Sequence, residues 1–118
     1  MNEVPDPADV FRLLDDEYAR SILVETHGEP LSAKALSEAC DASLPTIYRR
    51  VDDLKRLDLL VEHTQLDPSG NHYTLYESTV EHIDIDITNG EIDVTLTHHE
   101  DAADRFTRVW EDIRGTDR

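Results

Sequence analysis

Asn89-Gly90 lies between two strictly alternating runs. Before it Ile83, Ile85 and Ile87 alternate with Asp84, Asp86 and Thr88; after it Ile92, Val94 and Leu96 alternate with Glu91, Asp93, Thr95 and Thr97. A period of two sends successive side chains to opposite faces of a strand. Asn-Gly suits a two-residue turn whose central residues both have positive φ. The pattern therefore predicts a hairpin with Thr88 opposite Glu91, Ile87 opposite Ile92, Ile85 opposite Val94 and Ile83 opposite Leu96. One face is wholly apolar and must be covered, because an isolated two-stranded ribbon is marginal in water. The other face sets Asp86 against Asp93, a like-charge pair that destabilises a sheet.

The sequence upstream of the hairpin reads mainly as helices. Asp6-Pro7 reads as an N-cap followed by a first-turn proline. Val10, Phe11, Leu13 and Leu14 then form one apolar face. Asp15-Asp16 opens a second helix, in which Tyr18, Ala19, Ile22, Leu23 and Thr26 recur at helical spacing, with Gly28 as a stop. Leu31 after Pro30 is a strand of one or two residues at most. Ser32 caps a short helix with Leu36, Ala39 and Cys40 inward. Asp41-Ala42-Ser43 reads as a tight turn, and Ser43 caps the next helix, about Leu44 to Leu57. Ile47, Val51 and Leu54 face inward together there, at i, i+4 and i+7. Leu59 to Leu66 reads as a strand, Asp67 to Asn71 as a turn, and His72 to Glu77 as the returning strand. Two helices joined by a three-residue turn and followed by a hairpin is the layout of a winged helix-turn-helix. Downstream of the Asn-Gly hairpin, Glu100 to Arg114 predicts a last helix with Ala103, Phe106, Val109, Trp110 and Ile113 on one face.

Composition sets the boundaries of the reading. The chain has 118 residues and a formal charge of −16 at pH 7. Its length predicts one compact unit. A single cysteine excludes an intrachain disulfide framework and a multi-cysteine zinc site. No run approaches the ~20 apolar residues of a membrane span, and no signal-peptide pattern is present, so a soluble cytoplasmic protein is expected. Charge alone argues against nucleic acid, since such a surface repels phosphate. The charge is uneven, however. Residues 32–57 hold Lys34, Arg49, Arg50, Lys55 and Arg56 against four acids, whereas residues 58–118 hold four arginines against fifteen acids. A basic cluster on one helix is either a solvated face or a phosphate-binding one.

The run from Leu14 to His63 resembles the winged helix-turn-helix of the ArsR-type bacterial and archaeal transcription regulators. Leu14-Asp15-Asp16-Glu17-Tyr18-Ala19-Arg20-Ser21-Ile22-Leu23 is similar to that family's opening helix. Leu31-Ser32-Ala33-Lys34-Ala35-Leu36 and Pro45-Thr46-Ile47-Tyr48-Arg49-Arg50-Val51-Asp52-Asp53-Leu54 resemble its two-helix core, and Leu59-Leu60-Val61 its strand leading into the wing. Asp58 stands where a glycine is often found, the wing tip carries no arginine or lysine, and the ligand sets of metal-sensing members are absent. The acidity, the scarcity of lysine and the Asp/Thr-rich surface resemble proteins of salt-in haloarchaea. That likeness implies bound or screening potassium or sodium ions, because the Debye length at molar salt is about 3 Å.

The resemblance implies an α+β, mainly helical fold: a winged helix-turn-helix with a C-terminal β-hairpin and a dimerisation helix. Residues 1–78 would bind double-stranded DNA, and residues 79–118, part of the same unit, would join a homodimer. Arg49 and Arg50 fall where the family contacts bases and phosphates, and arginine can pair bidentately with a guanine edge. Ser43, Pro45, Thr46 and Tyr48 occupy the amino end and first turns of that helix, as DNA contacts or as local caps and packing. Lys34 and Lys55 are expected on the phosphate backbone. Val10, Phe11 and Leu14, with Phe106, Val109, Trp110 and Ile113, are the candidate dimerisation residues. A dimer is expected because one recognition helix buries too little for tight specific binding.

Two rival readings stand beside this one. A winged-helix protein–protein module of a transcription complex would use the acidic surface against a basic partner. A metal- or thiol-responsive regulator would use histidines or Cys40. His98 and His99 are adjacent, so in a strand they point to opposite faces, and no histidine set has strong ligand spacing. Cys40 has no neighbouring base or second thiol in the sequence, which favours buried packing. No Ser-His-Asp arrangement and no glycine-rich phosphate loop appears, so neither an enzyme nor a cofactor is expected.

Overall fold

The computed structural model describes residues 5–98. The expected helix Glu100 to Arg114, with Phe106, Val109, Trp110 and Ile113, lies outside them. Four helices precede two hairpins: α1 (Pro7–Asp15), α2 (Glu17–Thr26), α3 (Ala33–Ala39), α4 (Leu44–Arg56), β1 (Val61–Leu66), β2 (His72–Glu77), β3 (Val80–Thr88) and β4 (Glu91–His98). This is an α+β winged helix-turn-helix with a further β-hairpin.

Each helix starts on the cap its sequence offers. Asp6 accepts from the Ala8 amide at 3.0 Å, Asp16 from Ala19 at 2.8 Å, Ser32 from Ala35 at 3.1 Å and Ser43 from Thr46 at 3.3 Å. These side chains satisfy amides that have no partner inside the helix. The end of α4 is less ordinary. Asp58 adopts a left-handed φ of 62°. The Asp58 amide bonds the Lys55 carbonyl and the Leu59 amide bonds the Leu54 carbonyl. That is a Schellman closure with aspartate where glycine is usual.

The core gathers Leu13, Ala19, Ile22, Ala33, Leu36, Ile47, Val51, Leu54, Leu59, Leu60, Tyr76 and Val80. The inner row Ile47, Val51 and Leu54 is essentially inaccessible to water, and each such side chain contributes about 1.5–3 kcal/mol of burial. Leu31 bridges Tyr76 through two backbone hydrogen bonds of 2.9 and 2.7 Å, which seats the wing against the segment between α2 and α3.

The wing pairs Val61 with Glu77 through Leu66 with His72. The Asp67 side chain closes its tip by accepting from the Ser69 and Asn71 amides. The second hairpin has the register expected from Asn89-Gly90: Thr88 pairs with Glu91, Ile87 with Ile92, Ile85 with Val94, Asp86 with Asp93 and Ile83 with Leu96. Asn89 and Gly90 have φ of 52° and 80°, the positive pair that a type I′ turn requires.

Among the described residues the apolar face of this ribbon is covered in part. Ile83 and Leu96 pack on the core, and Val94 is fully buried on a strand that α1 packs against. Toward the turn, Ile85, Ile87 and Ile92 are 50%, 75% and 45% exposed. The described helices lie under the base of the ribbon, and its nine-residue β3 extends past them. Among the described residues no helix is long and apolar enough to cross a membrane.

Candidate nucleic-acid interface

With Ile47, Val51 and Leu54 committed inward, the geometry of α4 decides which other side chains reach solvent. Successive residues are rotated by 100° about a helix of 3.6 residues per turn. Pro45, Tyr48, Arg49 and Asp52 are exposed, and Thr46 and Arg50 are half-buried. Leu44, also exposed, begins the helix beside the Ser43 cap. The Ser43 hydroxyl donates to Thr46 Oγ1 at 3.0 Å, so Ser43 and Thr46 are engaged locally in starting the helix.

The basic cluster divides. Arg49 is exposed and makes no side-chain hydrogen bond or ion pair among the described residues, and Lys34 on α3 is open in the same way. Arg50 donates from Nε to Asp16 Oδ2 at 2.8 Å, with both side chains about one-quarter exposed. Lys55 is ion-paired with Glu62 on β1, and Arg56 with Asp53 at 3.3 Å. The hydrogen bond from Arg50, helped by the Ala19 amide, holds the Asp16 carboxyl below its usual range against the opposing effect of burial. Glu62 likewise raises the Lys55 ammonium. Neighbouring arginines thus have different situations. Arg50 lies three residues after Ile47 and four before Leu54, at the margin of the inner row, while Arg49 is turned away from it. That position on the helical wheel is a signal the sequence carried. The Asp16 and Glu62 partners are tertiary, and α4's own sequence does not announce them.

The wing brings no cation to this side. Glu62, Asp67 and Glu77 are its acids, and His63 Nε2 lies 2.9 Å from Glu77 Oε1. Leu66 and Tyr73 are exposed on it.

The other sites expected from sequence are placed as follows. Val10 is fully buried within the chain, whereas Phe11 and Leu14 are half-buried. The Leu14 carbonyl accepts from Arg20 at 2.7 Å. Cys40 is half-buried, and burial, with the charge of Glu25 second, pushes its thiol up, the direction opposite to a reactive thiolate. Among the described residues no group of three His, Cys, Asp or Glu side chains could hold a metal ion. An apolar groove of about 420 Å³ opens between α2 and β3, lined by Leu23, Val24, Ser78, Val80 and Ile83 among others.

Residues 13–63 match the family model of a helix-turn-helix domain. The match runs from the last turn of α1 through α4 and into β1, so this helix-turn-helix includes both Arg49 and the Asp16–Arg50 pair. A solved structure described as a possible transcriptional regulator from Methanosarcina mazei Go1 is similar at 16% identity with a TM-score of 0.49, over 99% of this chain and 95% of that one. No curated protein matches the chain.

Proposed function

We propose that this protein is a sequence-specific, DNA-binding transcription regulator of the ArsR type that acts as a homodimer with α4 in the major groove. The observation that carries the reading is the helix-turn-helix match over residues 13–63 combined with an exposed Arg49, unpaired among the described residues, on the second helix of the motif. In this reading Arg49 pairs with base edges. Pro45 and Tyr48 contact sugar and thymine methyls, Ser43 and Thr46 fix the start of the helix at the phosphates, and Lys34 and Lys55 contact the backbone. Residues 1–78 form the DNA-binding part. Residues 79–118 join protomers through Phe106, Val109, Trp110 and Ile113 together with Phe11 and Leu14. The acidic surface is an adaptation to concentrated salt of the haloarchaeal kind, with potassium or sodium ions bound or screening.

Selection of bound duplexes from a random library in molar potassium chloride tests the reading. Recovery of a two-half-site motif, with Arg49→Ala weakening it by about 1–3 kcal/mol, is the expected result. Recovery of no enriched sequence overturns it. A second reading, a protein–protein module, is favoured by the acidic wing with exposed Leu66 and Tyr73. That reading requires binding to be lost on Tyr73→Ala and kept on Arg49→Ala.

A further inference from the structure

Three helices meet at Asp16. Its amide donates to the Leu13 carbonyl at 3.1 Å and closes α1. Its Oδ2 accepts the Ala19 amide at 2.8 Å and caps α2. The same oxygen accepts Nε of Arg50, from the middle of α4, at 2.8 Å. Arg50 is adjacent in sequence to Arg49, which is unpaired among the described residues, so whatever fixes the rotation of α4 at residue 50 fixes where the Arg49 guanidinium points. The inner row Ile47, Val51 and Leu54 already binds α4 to the core, but apolar contact is non-directional. A charge-assisted hydrogen bond to a guanidinium is directional.

We infer that Asp16 and Arg50 are positioning residues for DNA reading. The pair sets the rotation of α4 on the α1–α2 layer and thereby aims Arg49, and Arg50 itself does not touch DNA. The inference rests on the proposed DNA-binding function and assigns, within that site, which arginine reads and which aims. It also joins α1, which carries Phe11 and Leu14, to the reading helix through one carboxylate. The separation of two reading helices in a dimer then depends on this pair.

The experiment compares the full-length protein with Asp16→Asn, Arg50→Lys, Arg50→Gln and Arg49→Ala. Fluorescence anisotropy is measured on the selected operator and on a random duplex across a salt series, with melting curves in the same buffers. Asparagine caps a helix about as well as aspartate, so Asp16→Asn keeps α2. It also removes a negative charge, so electrostatics alone predicts tighter binding to a polyanion. The expected result is the reverse on the operator: a loss of roughly tenfold, the order of one bidentate base contact, with random-duplex binding unchanged or tighter. Arg50→Lys keeps its charge and is expected to lose the same operator preference with an unchanged salt slope. Operator binding unchanged or tightened by Asp16→Asn overturns the inference. So does a salt slope reduced by about one in Arg50→Gln on both duplexes, which marks a direct phosphate contact. A wild-type protein that prefers no duplex overturns the DNA reading and this inference with it. A wild type whose operator binding is weakened by Arg49→Ala but unmoved by the Asp16 and Arg50 variants overturns the inference alone.

Discussion

Lys55, in the last turn of α4, is ion-paired with Glu62 on β1, so a cation expected to meet a phosphate is already held by the protein's own wing. Both side chains are more than one-third exposed, and a pair of that kind is worth at most about 1 kcal/mol. A DNA phosphate can displace the carboxylate. Glu62→Gln is therefore expected to tighten binding on all duplexes alike by removing the competing carboxylate, with the salt slope little changed because the same phosphate contact forms in both. The melting temperature should hardly move. Equal affinities for wild type and variant in a salt titration would take Lys55 off the DNA backbone.

Asp58 offers a stability test at the end of the same helix. Its φ of 62° is a conformation that costs an L-residue roughly 1–2 kcal/mol and glycine almost nothing. Its carbonyl, which accepts from His98 Nε2 at 2.7 Å, is retained in a glycine. Asp58→Gly should raise stability by about 1 kcal/mol, near 4 °C in Tm for a domain of this size. An unchanged or lowered Tm in calorimetry would mean that the aspartate side chain stabilises the closure.

How far the fold was legible depends on whether the deciding interactions are local. The hairpin register follows from Asn89-Gly90 and a period of two, both contained in about fifteen residues. The start of α4 follows from Ser43, and β2 spans His72–Glu77, as its flanking turn residues imply. Of the candidate site, α4 and the exposure of Arg49 were legible, since both follow from the inner row. The division between Arg49 and Arg50 was not, because Asp16 lies 34 residues away in the chain. The Lys55–Glu62 pair depends on how the wing folds back past Asp58. The exposure of Ile85, Ile87 and Ile92 depends on how far the helical layer reaches, a tertiary length that periodicity does not encode.

Acid should expose the Asp16 contact. Its carboxyl is held below the ordinary value, first by the Arg50 hydrogen bond. A carboxylate depressed in the folded state contributes stability above its unfolded pKa, about 3.9. That contribution fades as pH falls through 3.9 toward the lower folded value. Wild type should therefore be more stable than Asp16→Asn at neutral pH, and the two should converge below about pH 4. A constant difference in melting temperature between pH 7 and 3 would show that the charge of Asp16 is not what stabilises.

Assembly can be tested on the ribbon and on the C-terminal apolar stripe. Ile87 is 75% exposed, so Ile87→Lys should leave the fold of one chain intact. If the ribbon contributes to the dimer, the variant sediments as a monomer at concentrations where wild type is dimeric. Phe106→Asp with Trp110→Asp should do the same, with much weaker binding to a two-half-site operator. Light scattering that gives a monomeric mass for wild type in molar salt refutes the dimer.

The cross-strand pair Asp86–Asp93 makes salt dependence of the fold measurable at one position. The two residues are paired in the register and exposed. Like charges directly opposite cost on the order of 0.2–1 kcal/mol, and this cost decays with screening, the Debye length falling from about 10 Å at 0.1 M to 3 Å at 1 M. Asp93→Asn removes the repulsion while nearly preserving side-chain shape. In dilute potassium chloride it should unfold at a higher temperature than wild type. The gap should close as salt rises toward molar, because salt does for wild type what the substitution does for the variant. A gap that is constant with salt would assign the gain to strand propensity or packing. A variant less stable than wild type in molar salt would instead indicate that the two carboxylates jointly hold a cation there.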